Sequence, residues 1–116
     1  MRECKGGTGE SKVYIRSKEE YHKEILPESI EPIATVVCDY YDLPLPTFEV
    51  LPTAKTRWGC YYHKRKLVTL NEPVRLGVLL HELAHYINRQ TNTNVNGRHD
   101  IGFSNILSEL FEIWNI

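Results

Sequence analysis

The segment from Leu76 to Arg89 carries the strongest periodic pattern in the chain. Its apolar residues recur every three or four positions, at 76, 79, 80, 83 and 87, which predicts an amphipathic helix with one buried face. Asn71 suits the N-cap of this helix, and Glu72 and Pro73 suit its first turn. We therefore expect a helix that runs from about residue 72 to about residue 89.

The elements predicted on either side of this helix give an α+β fold. They are, in chain order, a helical turn after the capping residue Ser17, a helix at about 28–41, strands at 47–51, 57–62 and 67–70, and a last helix between Phe103 and Trp114. The second and third strands are expected to form a hairpin through the turn at residues 63–66. The expected architecture is a minimal α+β domain with an N-terminal helix, a three-stranded sheet, the central helix and a C-terminal helix.

Length and charge limit the class of protein. With 116 residues the chain has room for one domain. Residues 1–12, rich in Gly, Lys and Glu, are expected to be a flexible N-terminal tail, and residues 13–116 a single domain. A formal net charge of −1 argues against a protein that coats nucleic acid in general.

The apolar segments and the cysteines predict the cellular compartment of the protein. Runs such as Val78–Leu80 are too short to cross a membrane, and the first residues lack the apolar segment of a secretory signal. Cys4, Cys38 and Cys60 are odd in number and have no metal-ligand spacing. We therefore expect free thiols and a cytoplasmic protein.

The chemistry of the predicted helix lies in its motif His81-Glu82-Leu83-Ala84-His85. Two histidines four positions apart project from one helix face, so both rings can bind one ion. Nitrogen ligands suit Zn²⁺, and a catalytic zinc keeps one position open for water. Glu82, beside the first histidine, is placed to accept a proton from that water, whose pKa zinc lowers.

A catalytic zinc also needs a third protein ligand. The downstream candidates are His99, Asp100, Glu109 and Glu112. His99 lies between an Asn-rich loop and the final helix, while the two glutamates lie on that helix. The ligand pattern leaves the choice among them open.

Four segments, taken together, carry a family resemblance. They are Thr56–Cys60, Thr69–Asn71, Leu79–His85, and His99 with Gly102 and Phe103. In these segments the chain resembles the SprT-like zinc metallopeptidases, a family that includes the Spartan-type proteases of DNA–protein crosslinks. The resemblance extends over about residues 46–114.

The resemblance implies one zinc ion held by His81, His85 and His99, with Glu82 as general base in the hydrolysis of peptide bonds. It also implies the zincin arrangement, in which a short mixed sheet packs on the motif helix, and a protein or peptide substrate. The family usually reads His-Gly-Pro-x-Phe at the third ligand, whereas residues 99–103 read His-Asp-Ile-Gly-Phe. The dipeptide after the histidine therefore departs from the family pattern.

The 22 residues from Val50 to Asn71 contain five basic residues and no acidic one. The basic residues are Lys55, Arg57, Lys64, Arg65 and Lys66, interleaved with Trp58, Tyr61 and Tyr62. This pattern suits either a nucleic-acid surface on which bases stack on rings or a solvated hairpin turn with core aromatic residues. Trp58, Tyr61 and Tyr62 are also candidates to line a cleft, and the tyrosines and His63 to stabilise an oxyanion.

Three hypotheses for function follow. The leading one is a zinc-dependent peptidase, in which a metal-bound water deprotonated by Glu82 attacks a peptide carbonyl. The alternative is a zinc-bearing DNA- or protein-binding module of zincin fold without proteolytic activity. The third is a zinc hydrolase acting on a non-peptide amide. Ligand number separates the first two, because a structural zinc site is closed by a fourth side chain.

Overall fold

The computed structural model describes the backbone of residues 2–4, and the backbone and side chains of residues 15–92 and 100–116. The strands are β1 (Arg2–Cys4), β2 (Thr47–Leu51), β3 (Gly59–Tyr62) and β4 (Leu67–Asn71). The helices are α1 (Lys18–Tyr21), α2 (Ile30–Tyr40, after the 3₁₀ turn Pro27–Ser29), α3 (Leu76–Thr91) and α4 (Ile101–Ile113). The α+β class expected from the sequence is confirmed.

The described strands form one mixed sheet in the order β1-β3-β4-β2. β3 and β4 make the predicted antiparallel hairpin, with Gly59 opposite Leu70. β2 pairs parallel to β4 along its whole length. β1 pairs antiparallel to β3, with Arg2 opposite Tyr62. β3 therefore lies between β1 and β4, and β1 and β2 form the two edges of the sheet.

β1 is a departure from the sequence prediction. A flexible tail is expected over residues 1–12, but Arg2–Cys4 form a strand against β3. Three residues carry too little alternation to signal a strand, and the pairing partner supplied by β3 decides their conformation. The rest of the expected tail, together with residues 13 and 14, lies outside the described residues.

The start of α3 also differs from the expectation. Asn71 is the last residue of β4, and its side-chain amide donates to the Pro52 carbonyl at 2.9 Å. The N-cap is Arg75, and the helix begins at Leu76. The side chain of a typical N-cap residue can hydrogen-bond to a neighbouring loop instead of to a helix end. Asn71 does this with the Pro52 carbonyl, so it does not cap α3.

α3 is the central element of the core. Every residue from Leu76 to Asn88 is buried, because the sheet, α1, α2 and α4 all pack against this helix. α4 contributes the fully buried Phe103 and Leu107. Close packing of α1 on α3 depends on Gly77, where a Cβ atom would lie 2.2 Å from the Tyr21 ring.

The cysteines correct a further expectation. Cys60 on β3 is disulfide-bonded, whereas Cys38 on α2 is a buried free thiol. The prediction of free thiols is therefore wrong for Cys60, and the cysteines no longer argue for a reducing compartment. Among the described residues, none of the helices has the length and apolarity that crossing a membrane requires.

Candidate metal centre

The motif on α3 brings three side chains together in the interior. His81 and His85, one turn apart on the same helix face, have their Nε2 atoms 3.2 Å apart. Glu82 completes a group in which one ligand atom from each residue lies within 4.8 Å of the others. All three side chains are 0% exposed. This buried His-Glu-His group can hold a metal ion.

The spacing of the two histidines fits such an ion. Two nitrogen ligands about 2.0–2.1 Å from a tetrahedral zinc stand about 3.3 Å apart, close to the 3.2 Å between the Nε2 atoms of His81 and His85. The same spacing also suits a hydrogen bond between one protonated and one unprotonated ring nitrogen. The distance therefore supports a metal site without identifying the metal.

Glu82 reaches this position because β3 has no side chain at Gly59. A Cβ atom there would lie 3.3 Å from Cγ of Glu82 and 3.1 Å from Cγ1 of Val78 on the same helix. It would also lie 3.0 Å from the Thr69 carbonyl oxygen of β4, which the sheet holds in place. Gly59 thus sets how closely the Glu82 side chain approaches the sheet.

Phe103 of α4 covers both imidazoles. Its ring stacks on His85, with centroids 4.3 Å apart and planes at 23°. It meets His81 in a T-shaped contact, with centroids 5.0 Å apart and planes at 64°. Phe103 itself is fully buried, so one apolar ring forms a wall against both candidate ligands.

A polar cluster fixes the first turn of α4 against the last turns of α3. Asp100 is the N-cap of α4, and its Oδ1 accepts from the Phe103 backbone N–H at 2.9 Å. The same oxygen accepts from the buried Asn88 amide at 3.1 Å, and Asn88 in turn accepts from the Asn92 amide. Gly102 makes room for this cluster, since a Cβ atom there would lie 2.7 Å from Oδ1 of Asn88.

The candidates for a third ligand have separate positions. His99 lies outside the described residues. Asp100 accepts from the helix N–H and from Asn88, and Glu109 accepts a hydrogen bond from the Tyr41 hydroxyl. Glu112 is exposed on α4. None of the last three belongs to the group that can hold a metal among the residues described.

Burial, together with the hydrogen bond to Glu109, raises the pKa of Tyr41 well above its ordinary value. Tyr41 therefore stays a neutral donor to Glu109 at ordinary pH. This hydrogen bond joins Glu109 of α4 to Tyr41, the C-cap residue that follows α2.

The aromatic candidates for a cleft or oxyanion contact lie on different faces. Tyr61 is fully buried and packs on Tyr86 of α3, with ring centroids 5.9 Å apart. Its hydroxyl lies 3.2 Å from Nδ1 of His63. Tyr62 projects to the opposite face of the sheet, because side chains alternate along a strand. The role of Tyr62 as an oxyanion residue therefore stays a prediction, carried by a side chain on the face of the sheet opposite to that of Tyr61.

Trp58 lies at the beginning of the β3–β4 hairpin, next to Gly59. Its ring is partly buried and lies under the Arg75 guanidinium, whose carbon is 4.9 Å from the ring centroid. It also makes a T-shaped contact with the exposed His22 at 5.9 Å. These contacts place Trp58 at the junction of α1 and the start of α3.

The five basic residues lie at the two ends of the β3–β4 hairpin. Lys64, Arg65 and Lys66 are exposed in the turn between β3 and β4, and the Arg65 guanidinium lies over the Tyr62 ring at 5.8 Å. Lys55 and Arg57 precede β3 at the other end of the hairpin, separated from the turn by the length of a four-residue strand, roughly 13 Å. The three residues of the turn are consecutive and exposed, so they form one local basic group.

Several residues around the candidate ligands have only partial sequence signals. Asp100, three positions before the Phe103 N–H that it accepts from, has the pattern of an N-cap. Phe103 belongs to the apolar stripe of α4 and reads as a core residue. Asn88 and Gly59 carry no local signal, because their roles depend on which element packs opposite them.

Comparisons with known proteins found no similar protein. No family model, curated protein or solved structure matches the chain. The support for a metal site therefore comes from the residues of the candidate centre and their geometry alone.

Proposed function

We propose that this chain is a zinc-dependent metallopeptidase of the SprT-like type. The observation that carries the proposal is the convergence of His81, Glu82 and His85 in one buried group. The motif resemblance adds His99 as the third zinc ligand. Bound zinc would lower the pKa of a water molecule towards neutrality and polarise the carbonyl of the scissile bond.

Glu82 acts as the general base in this proposal. Its carboxylate lies in the same group as the two histidines, and its Cγ lies against Gly59 of β3. It accepts a proton from the attacking water and donates it to the departing amine. His81 and His85 serve as neutral nitrogen ligands, which hold the ion without adding negative charge.

The substrate class is an extended polypeptide. Such a segment adds a strand to a sheet edge and is recognised through main-chain hydrogen bonds. Of the two edges, β1 adjoins β3, the strand that carries Gly59 beside Glu82. We therefore expect unfolded or flexible protein segments, rather than folded domains, to be cut.

The test combines metal analysis with hydrolysis of a fluorescently labelled unfolded protein. We expect one zinc per chain in the wild type. Glu82→Gln should keep the zinc and lose about 10²–10⁴-fold in rate, the usual worth of a general base. His85→Ala should lose the zinc, while the exposed His22→Ala should behave as wild type. The proposal would be overturned if the wild-type protein contained no stoichiometric metal and its rate of hydrolysis did not rise when zinc was added.

A second candidate function is favoured by the burial of the group. His81, Glu82 and His85 are each 0% exposed, as in a structural metal site, whereas a substrate must reach a catalytic one. The chain would then be a zinc-bearing module that binds DNA through Lys64, Arg65 and Lys66. Stoichiometric zinc, no hydrolysis by the wild type, and DNA binding that weakens with salt would favour this candidate over the peptidase.

A further inference from the structure

We infer that Phe103 is a positioning residue for the metal site, and that its ring holds His81 and His85 in the orientation in which their Nε2 atoms converge. The inference rests on the proposed metal site. It concerns what orients the two ligands, a role that hydrogen bonds to the second ring nitrogen usually play.

The geometry of the three rings carries the inference. The torsion that turns an imidazole about its own axis is broad, so packing selects its orientation. Phe103 lies flat on His85, at 23° and 4.3 Å, so rotation of the His85 ring would drive its edge into Phe103. The T-shaped contact with His81 at 5.0 Å limits the second ring from the same side. With both rings restricted, the Nε2 atoms stay 3.2 Å apart.

Phe103 is itself fixed by the polar cluster at the start of α4. Asp100 caps its backbone N–H at 2.9 Å and accepts from the buried Asn88 of α3 at 3.1 Å. Asn88 lies three positions after His85, on the helix that carries both ligands. The Asp100–Asn88 hydrogen bond therefore connects the start of α4, which carries Phe103, to the helix that carries both histidines. A shift of α4 would move the Phe103 ring.

The experiment measures zinc affinity by competition with a chromophoric chelator, and the visible spectrum of the cobalt-substituted protein. We expect Phe103→Leu to bind zinc about 10–100-fold more weakly, the effect typical of residues that orient metal ligands. The cobalt spectrum should change as the ligand geometry loosens. Phe103→Tyr, which keeps the ring, should restore most of the affinity.

Phe111→Leu is the matched control. Phe111 is also a buried phenylalanine of α4, but its described ring contact is with Tyr21. We expect it to lower thermal stability about as much as Phe103→Leu while leaving zinc affinity unchanged. Equal losses of affinity in the two variants would assign the effect to general destabilisation and overturn the inference.

Two further outcomes keep the test decisive. If Phe103→Leu does not fold, Phe103→Met fills a similar volume with a flexible chain, and wild-type affinity in that variant would overturn the inference. If the wild type binds no zinc, the proposed metal site fails and the inference with it. Normal zinc binding by all variants would instead leave the metal site standing and remove only the role of Phe103.

Discussion

The His81-Glu82-His85 group on α3 and the basic turn at residues 64–66 differ in solvent exposure and in how their polar residues are brought together. His81, Glu82 and His85 meet within 4.8 Å and are fully buried. Residues 64–66 are consecutive in the turn, and all three are exposed to solvent. A helix returns to the same face within four residues, so a short motif is enough to assemble a site. A hairpin turn gathers only the residues of the turn itself, and the hairpin separates them from Lys55 and Arg57.

Substitutions in the two regions should differ most in stability. Leu83, inside the motif, is fully buried, so Leu83→Ala should lower the free energy of unfolding by about 2–5 kcal/mol. Lys64→Ala in the turn should change it by no more than about 0.5 kcal/mol. Urea denaturation of both variants measures the difference. A loss below about 1 kcal/mol in Leu83→Ala would contradict the close packing around α3.

Gly59→Ala probes the contact between β3 and the metal group. The added methyl group would press on Cγ of Glu82 and Cγ1 of Val78. We expect zinc to be retained and hydrolysis to fall by less than the roughly 10²-fold that misplacement of a reacting group by about 1 Å can cause, because the neighbours must give by only a few tenths of an ångström. Steady-state kinetics with parallel metal analysis make the measurement.

The double variant Gly59→Ala/Val78→Ala serves as the control, because it relieves the contact with Val78 and leaves the one with Glu82. Persistence of the kinetic defect would assign it to the remaining contacts of the added methyl group, with Glu82 and with the Thr69 carbonyl oxygen. Recovery of the rate in the double variant would assign it to a shift of the whole helix.

Removing the charge of the turn tests the exposed region. If the turn contacts DNA, replacing Lys64, Arg65 and Lys66 by alanine should weaken binding by about tenfold or more and reduce the salt slope by about 3, one unit per phosphate contact. The pair Lys55→Ala/Arg57→Ala, at the other end of the hairpin, should retain most of the affinity. Fluorescence anisotropy over a range of salt decides between them, and an equal loss in the pair would mean that the basic residues act as one surface.

The smallest effect expected is a pH dependence inside the core. Burial, and secondarily the charge of Asp39, raise the pKa of Cys38 from 9.0 to about 11. Since the folded pKa is the higher one, its contribution to stability is present below pH 9 and is lost as the pH rises towards 11. By pH 10 the loss in the free energy of unfolding is on the order of 1 kcal/mol.

Cys38→Val should remove this loss, which thermal melts between pH 8 and pH 10 would show as a flatter profile. Tyr41, whose pKa is raised by burial and by its contact with Glu109, acts alike in the two proteins. The pKa of Tyr86 is raised by burial and also by the charge of Cys38, so the substitution flattens its part of the profile in the same direction. An unchanged profile in Cys38→Val would mean that the thiol has the same pKa in the folded and the unfolded state.

Local pattern was enough to predict most elements and the convergence of His81, Glu82 and His85 in a group that can hold a metal ion. β2 has the bounds predicted for it, and Ser17 caps α1 as the capping signal indicates, accepting from the Glu20 N–H at 3.2 Å. The convergence of His81 and His85 follows from their spacing on a helix alone. These features need only neighbours within a few residues, so a single sequence contains them.

Features that depend on distant partners were not predictable in this way. β1 exists because β3 offers it an edge, and Asn71 turns to the Pro52 carbonyl because the chain after β2 passes beside it. Gly59 and Phe103 acquire their roles only when β3 and α4 pack on α3. Such contacts are set by the tertiary fold, which the sequence pattern of each element does not contain.

The enclosure of α3 has a consequence for how quickly a metal ion could enter or leave. A side chain at the surface exchanges its ligands by diffusion, but every residue from Leu76 to Asn88 is covered by other elements. Exchange of an ion at His81 and His85 would therefore wait for the neighbouring elements to open locally, an event whose rate follows local stability. Zinc acquired during folding would leave on the timescale of these openings, and incubation with a chelator at rising temperature would measure that timescale directly.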